Sequence, residues 1–167
     1  VYTLGLELRN PIAGNYYRDS IPVDGFVANT EELRGAIIYL ESTNGSIASS
    51  GYSQLEGNSF SSLIDVDMEG YYYIWATAWD ASNAMGMSER VAVAVDWTAP
   101  ELTLISPEST NATLTADYQS GTASLNLSGT AYDAISGVEG VYIYGGACGQ
   151  IFSAQGTEEW SYSLSLE

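Results

Sequence analysis

The chain has 167 residues, in which 21 Asp and Glu stand against four basic residues, Arg9, Arg18, Arg34 and Arg90, for a net charge of -17. That balance excludes nucleic acid and anionic membrane surfaces as partners, since both need clustered positive charge. Hydrophobic residues at 46% and aromatics at 12%, with 13 Tyr and 17 Gly, supply sheet cores and turns and set the chain apart from an acidic disordered tail.

Helical periodicity is missing, whereas short alternating runs bounded by Gly, Asn, Ser and Pro recur along the chain, so the expected class is all-β. In chain order, strands are expected at 2–8, 21–28, 35–41, the Gly/Ser-rich stretch 44–53, 59–66, 71–79 and 90–96. Together these make one immunoglobulin-sized sandwich. Asp96-Trp97-Thr98-Ala99-Pro100 follows, and the proline fixes φ and removes a donor, which marks a domain boundary. The domains expected are 1–97 and 98–167. Strands of the second are expected at 102–106, 113–116, 123–132, 138–145, 150–153 and 160–166. The blocks repeat in order: Asp24-Gly25-Phe26-Val27 then Gly35-Ala36-Ile37-Ile38-Tyr39, and Ser128-Gly129-Thr130-Ala131 then Gly140-Val141-Tyr142-Ile143-Tyr144. Repetition at this length is the mark of a modular array.

Strand parity divides the side chains into two sets. If Tyr72 points inward, so do Ile74, Ala76 and Ala78, joined in the core by Leu6, Val23, Ile38, Ile64, Val91 and Val93. Tyr71, Tyr73, Trp75 and Trp79 then point outward, beside Ile37, Tyr39 and the small Ala92 and Ala94. A patch of this size suits a contact with another subunit, a sugar-stacking platform or ordinary cross-strand aromatic packing. The residues assigned to subunit contact are Ile37, Tyr39, Tyr71, Tyr73 and Trp75.

Three segments carry a family resemblance. Gly70-Tyr71-Tyr72-Tyr73-Ile74-Trp75-Ala76-Thr77-Ala78-Trp79-Asp80-Ala81-Ser82-Asn83, Val95-Asp96-Trp97-Thr98-Ala99-Pro100 and Gly129-Thr130-Ala131-Tyr132-Asp133-Ala134-Ile135-Ser136-Gly137-Val138 resemble signatures of prokaryotic Ig-like repeat domains. Such repeats occur in bacterial adhesins and archaeal surface-layer proteins. The resemblance implies tandem immunoglobulin-like β-sandwiches at the cell surface, excerpted from a longer repetitive protein. It also implies that the second sandwich lacks its last two strands. Either the sequence stops inside that domain or a strand from a neighbouring chain completes it.

Chemistry narrows the function further. With no His, no Lys and one cysteine, Cys148, that has no base beside it, the sequence offers no activated nucleophile and no enzyme is expected. The adjacent pairs Glu31-Glu32 and Glu158-Glu159 point to opposite faces of an extended chain and do not flank one sugar. Carboxylates suit calcium better. In an Ig-like topology Asp96 and Asp133 lie at the entrance of the second domain, facing the turn of Asp65, Asp67 and Glu69. The resemblance agrees, since adhesin repeats of this type often bind calcium between domains. The run Asp65-Val66-Asp67-Met68-Glu69-Gly70 is no EF-hand, because its twelfth position is Ala76. A second acidic candidate is Asp80 with Glu31 and Glu32. The sequons at Asn44, Asn111 and Asn126 permit glycosylation.

The function expected is a structural module of an extracellular surface layer, filament or adhesin stalk. Its partners are copies of itself or other surface proteins, without direct membrane insertion in this segment. The alternative is a carbohydrate-binding accessory domain of a secreted protein.

Overall fold

The computed structural model describes residues 4–30, 32–108, 123–145 and 149–166. It divides into two compact units, Val1–Trp97 and Thr98–Glu167. The described residues form strands and connecting turns, with no helix among them.

The first unit contains β1 (Gly5–Asn10), β2 (Tyr16–Tyr17), β3 (Ser20–Ala28), β4 (Leu33–Ser42), β5 (Ile47–Tyr52), β6 (Gln54–Glu56), β7 (Ser59–Asp65), β8 (Gly70–Asp80), β9 (Met85–Met87) and β10 (Val91–Val95). One sheet has the order β1-β3-β7-β6 and the other β2-β10-β8-β4-β5, with β9 also on β8. The pairing is antiparallel except for β2 beside β10, and the whole is an immunoglobulin-like sandwich. Three of these strands, β2, β6 and β9, were not expected from sequence. Each has two or three residues, too few to show a period. The expected strand 44–53 resolves into β5, after which the chain crosses to the other sheet as β6.

The core lies where parity places it. Val23, Ile38, Ile64, Tyr72, Ile74, Ala76, Ala78 and Val93 are buried, and Leu6 and Val91 pack half-buried against them. Ile21, Val27, Leu40, Phe60 and Val95 complete the cluster. The Tyr72 hydroxyl donates to the Met68 carbonyl at 2.7 Å, closing the corner that leads into β8. Burial, and then the charge of Asp67, raise the Tyr72 pKa, so the phenol stays protonated as this bond requires.

The second unit contains β11 (Glu101–Ser106), β12 (Ala123–Tyr132), β13 (Tyr142–Gly145), β14 (Gln150–Ser153) and β15 (Glu159–Leu166). One sheet runs β11-β12-β15 and β13 pairs with β14. The expected strand at 138–145 is thus shorter, and the one at 113–116 lies outside the described residues. A small core gathers Ala131, Val141 and Trp160, with Leu127, Val138, Ile143 and Ala154 against it.

The repeat seen in the sequence recurs as a repeat in register. Gly25 pairs with Leu8 and Phe60, and Gly129 pairs with Leu104 and Trp160. Both first strands also shift register two residues past the equivalent leucine pair, between Leu8 and Asn10 and between Leu104 and Ser106. At each glycine an aromatic ring occupies the space of the missing side chain. A Cβ on Gly25 would lie 2.3 Å from the Phe60 ring and 2.6 Å from the Glu7 carbonyl oxygen, and one on Gly129 2.0 Å from the Thr103 carbonyl oxygen. Gly25→Ala and Gly129→Ala are each expected to cost about 1–3 kcal/mol by overpacking against backbone. Tyr72→Phe is expected to cost about 1 kcal/mol. Denaturant titration of each variant measures these losses.

Candidate functional site

The outer face of the β2-β10-β8-β4-β5 sheet is built by cross-strand registers. Ala94 pairs with Tyr16 on one side and Tyr71 on the other, Glu41 with Tyr73, Tyr39 with Trp75, and Gly35 with Trp79. Ile37 sits between Thr77 and Tyr52. On β9, Met87 pairs with Thr77 and Met85 with Trp79. Directly paired residues share a face, so one sheet surface collects most of the unit's large aromatic side chains.

Part of this surface is covered from within the sheet. Tyr39 and Trp75 stack with centroids 4.1 Å apart and planes at 15°. The Arg90 guanidinium carbon lies 5.6 Å from the Trp75 ring centroid and its nitrogens donate to Glu41 Oε2 at 3.0 and 3.1 Å. The same carboxylate oxygen accepts the Trp75 Nε1–H at 2.8 Å. Trp79 lies over Gly35 and meets Tyr52 edge-on at 6.3 Å. Ile37, Tyr39 and Trp75 are therefore half-buried, whereas Tyr71 is 53% and Tyr73 38% exposed. Ala94, expected beside them on the open face, is buried between its two tyrosine neighbours.

Sequence reasoning missed several contributors to this face. Tyr16 belongs to a two-residue strand, and Tyr52 ends the Gly/Ser-rich run; Met85 and Met87 flank Gly86 in β9. All four are exposed. The alternation Met85-Gly86-Met87 was the available signal: Gly86 is buried against the Leu4 backbone, which turns both methionines outward.

Two of the acidic candidates, Asp80 and Asp133, build turns. Asp80 Oδ1 accepts from Ser82 N, Ser82 Oγ and Ala84 N at 2.9, 2.7 and 2.9 Å. Glu32 pairs instead with Arg34 at 3.0 Å, and Glu31 lies outside the described residues. Asp133 Oδ1 accepts from Ile135 N, Ser136 N, Gly137 N and Ser136 Oγ within its own loop. In the first unit Glu69 Oε1 accepts the Trp97 N–H at 2.5 Å, the Asp96 N–H donates to the Tyr17 carbonyl at 2.8 Å, and Asp65 and Asp67 are exposed. Among the described residues no three acidic or cysteine side chains gather as a metal group. Of the sequons, Asn44 lies in the exposed β4–β5 turn, where its Oδ1 accepts from Ser46 N, and Asn126 is exposed on β12, bonded by Ser163 Oγ. Asn111 and Cys148 lie outside the described residues.

The turn bonds set the pH response. Hydrogen bonds from Ser82 lower the Asp80 pKa, and the Ile135, Ser136 and Gly137 amides lower that of Asp133, in both cases against an opposing desolvation. A carboxylate with a depressed folded pKa stabilises the fold above its unfolded value, about 3.9, and loses that contribution as pH falls through the folded value. Asp133→Asn is expected to be less stable than the parent near neutrality, with the gap closing below about pH 4. Thermal unfolding across a pH series measures it.

No family model matches the chain, and no curated protein matches it in sequence. Among solved structures, it is similar to the fibronectin(III)-like modules of Clostridium thermocellum CbhA at 16% identity and TM-score 0.45, over 57% of this chain and 99% of that one. It is similar to a tetra-tandem repeat from the extending region of a large adhesion protein at 21% identity and TM-score 0.43, over 97% of this chain and 40% of that one. It is similar to an engineered protein at 14% identity and TM-score 0.47, and spans 20% of that chain's length.

Proposed function

We propose that this protein is a structural module of an extracellular, cell-surface assembly, and that the aromatic face of its first unit docks a neighbouring subunit. The observation that supports the reading is the collection of Tyr16, Tyr52, Tyr71, Tyr73, Met85 and Met87, all exposed, on one sheet surface. Large apolar patches on soluble monomers are uncommon, and tyrosine and methionine are enriched where protein surfaces meet. The Glu41–Arg90–Trp75 group supplies charge-paired polarity within the patch, and an acidic remainder keeps the other surfaces hydrated.

The rival reading as a sugar platform is less favoured by the geometry, because Tyr39 already stacks on the Trp75 ring and Arg90 approaches it. Trp75 is also a poor residue to remove, since its loss would leave Glu41 and Arg90 without a shared partner. Tyr71→Ser with Tyr73→Ser removes exposed area and spares the sheet. Sedimentation is expected to show the parent chain self-associating and the double variant weakened at least about tenfold, a loss of about 1.4 kcal/mol. Unchanged circular dichroism checks the fold. A parent chain that stays monomeric to about 1 mM would remove the self-contact. Saturable quenching of Trp fluorescence by soluble glycans would favour the sugar reading.

Calcium recruitment by Asp65, Asp67, Glu69, Asp96 and Asp133 belongs to the same proposal, and it draws on carboxylates of which Glu69 now accepts from the Trp97 amide and Asp133 from the 135–137 amides. Calorimetry with calcium and with chelator is expected to separate the unfolding temperatures, since a ligand that binds only the native state raises its stability by mass action. Coincident transitions would remove the cation from the reading.

A further inference from the structure

We infer that the first unit pairs edge to edge with a second copy of this chain, β5 against β5, antiparallel about a two-fold axis at Gly51. Sheet edges are templates for strand addition, and monomeric proteins blunt them by shortness, charge or bulges. The first unit blunts its other edges in these ways. β2 and β9 have two and three residues, β6 has three with the carboxylate of Glu56, and β1 carries Glu7, Arg9 and a register shift. β5 has six residues with neither charge nor proline, and among the described residues no strand pairs with its outer side. Its own register shift lies at the turn end, where Leu40 and Glu41 face it, and leaves Ser49 to Tyr52 regular.

The phase of the ladder shows which groups the edge offers. In an antiparallel pair alternate residues bond across to the partner strand. The Ser53 N–H donates to the Ala36 carbonyl at 3.0 Å, so Gly51 and Ser49 also bond to β4, and Ser50 and Tyr52 turn their N–H and C=O groups to the open side. One register uses these groups in both copies, with Ser50 opposite Tyr52 of the partner subunit and Tyr52 opposite the partner's Ser50. It places Gly51 on the axis and sets each tyrosine ring beside a serine.

Charge points to the same edge. A chain of net charge -17 repels its own copies. No charged residue stands between Glu41 and Glu56, the longest uncharged run in the first unit, and β5 lies inside it. Two copies therefore meet there with the least repulsion, and the isologous register makes each copy the strand the other lacks. The contact does not rest on the face-docking reading above, because Tyr71 and Tyr73 belong to β8, two strands from the seam. Pairing leaves both outer faces on one side of a continuous sheet, so edge and face can be engaged together.

The test uses the full chain with Cys148→Ser as background and one cysteine added. A Cβ on Gly51 would meet nothing within 4 Å, so Gly51→Cys is accommodated. Across the axis the two α-carbons would stand about 4.5 Å apart, within reach of a disulfide. In a buffer of oxidised and reduced glutathione, Gly51→Cys is expected to give at least about tenfold more linked dimer than Ser61→Cys, an exposed position on the other sheet. Adding Ser50→Pro is expected to bring the yield down to the Ser61→Cys level. The Ser50 N–H faces away from β4, so proline spares the fold, which circular dichroism checks, and removes the intermolecular bonds. Ser50→Glu keeps the backbone donor and is expected to lower the yield at low salt more than at high salt. Tyr71→Ser with Tyr73→Ser is expected to leave it unchanged. Equal linking at 51 and 61 overturns the inference, as does linking at 51 that survives both Ser50 variants. Linking lost with Tyr71 and Tyr73 would assign the contact to the aromatic face and overturn it also.

Discussion

The alternation of β8 is the constraint on which the first unit depends. Its even-numbered residues from Tyr72 to Ala78 enter the core, and its odd-numbered residues from Tyr71 to Trp79 form the outer face. A slip of one residue would exchange the two sets, putting Trp75 and a second aromatic ring at positions that now hold Ile74, Ala76 and Ala78. The Tyr72–Met68 bond opposes that slip at the strand's entrance. Core and candidate contact surface are thus two readings of one eleven-residue strand, and neither can be altered without regard to the other.

A second device is shared by both units. An aromatic side chain lies against a glycine on the neighbouring strand, Phe60 of β7 on Gly25 of β3 and Trp160 of β15 on Gly129 of β12. The glycine leaves room for the ring of the paired strand, and the ring recovers the buried area that the missing side chain would have given. The outer face uses the same combination, with Trp79 over Gly35. These pairs explain why glycines stand within strands whose neighbours are otherwise β-branched or aromatic.

What the sequence made legible follows from length and period. The long strands β3, β4, β8 and β12 carry several alternations each, so their existence could be read directly, and with it the inward faces of β3, β4 and β8. Strands β2, β6 and β9 have no period of their own and form because longer neighbours offer them edges. With them went Tyr16, Met85 and Met87. The acids were harder for a different reason. The bonds that Asp80 and Asp133, both expected as calcium ligands, make to the amides that follow them depend on turn conformation, which strand parity does not predict. Arg90 was legible as a charge, but not as the residue that would reach Glu41, 49 positions away in the chain.

The parallel pairing of β2 with β10 has a mechanical consequence. Backbone bonds join these segments along their length, among them Gly14 N–H to the Ala92 carbonyl, Ala94 N–H to Asn15, and Asp96 N–H to Tyr17. Because the strands run parallel, tension between the entry of the chain and its exit at Trp97 pulls them past one another lengthwise. The bonds then share the load at once, where a strand peeled from its end would lose them singly. A module joined in series to others would meet pulling force at this short seam, and its lifetime under tension is set by the barrier to breaking the seam as a unit.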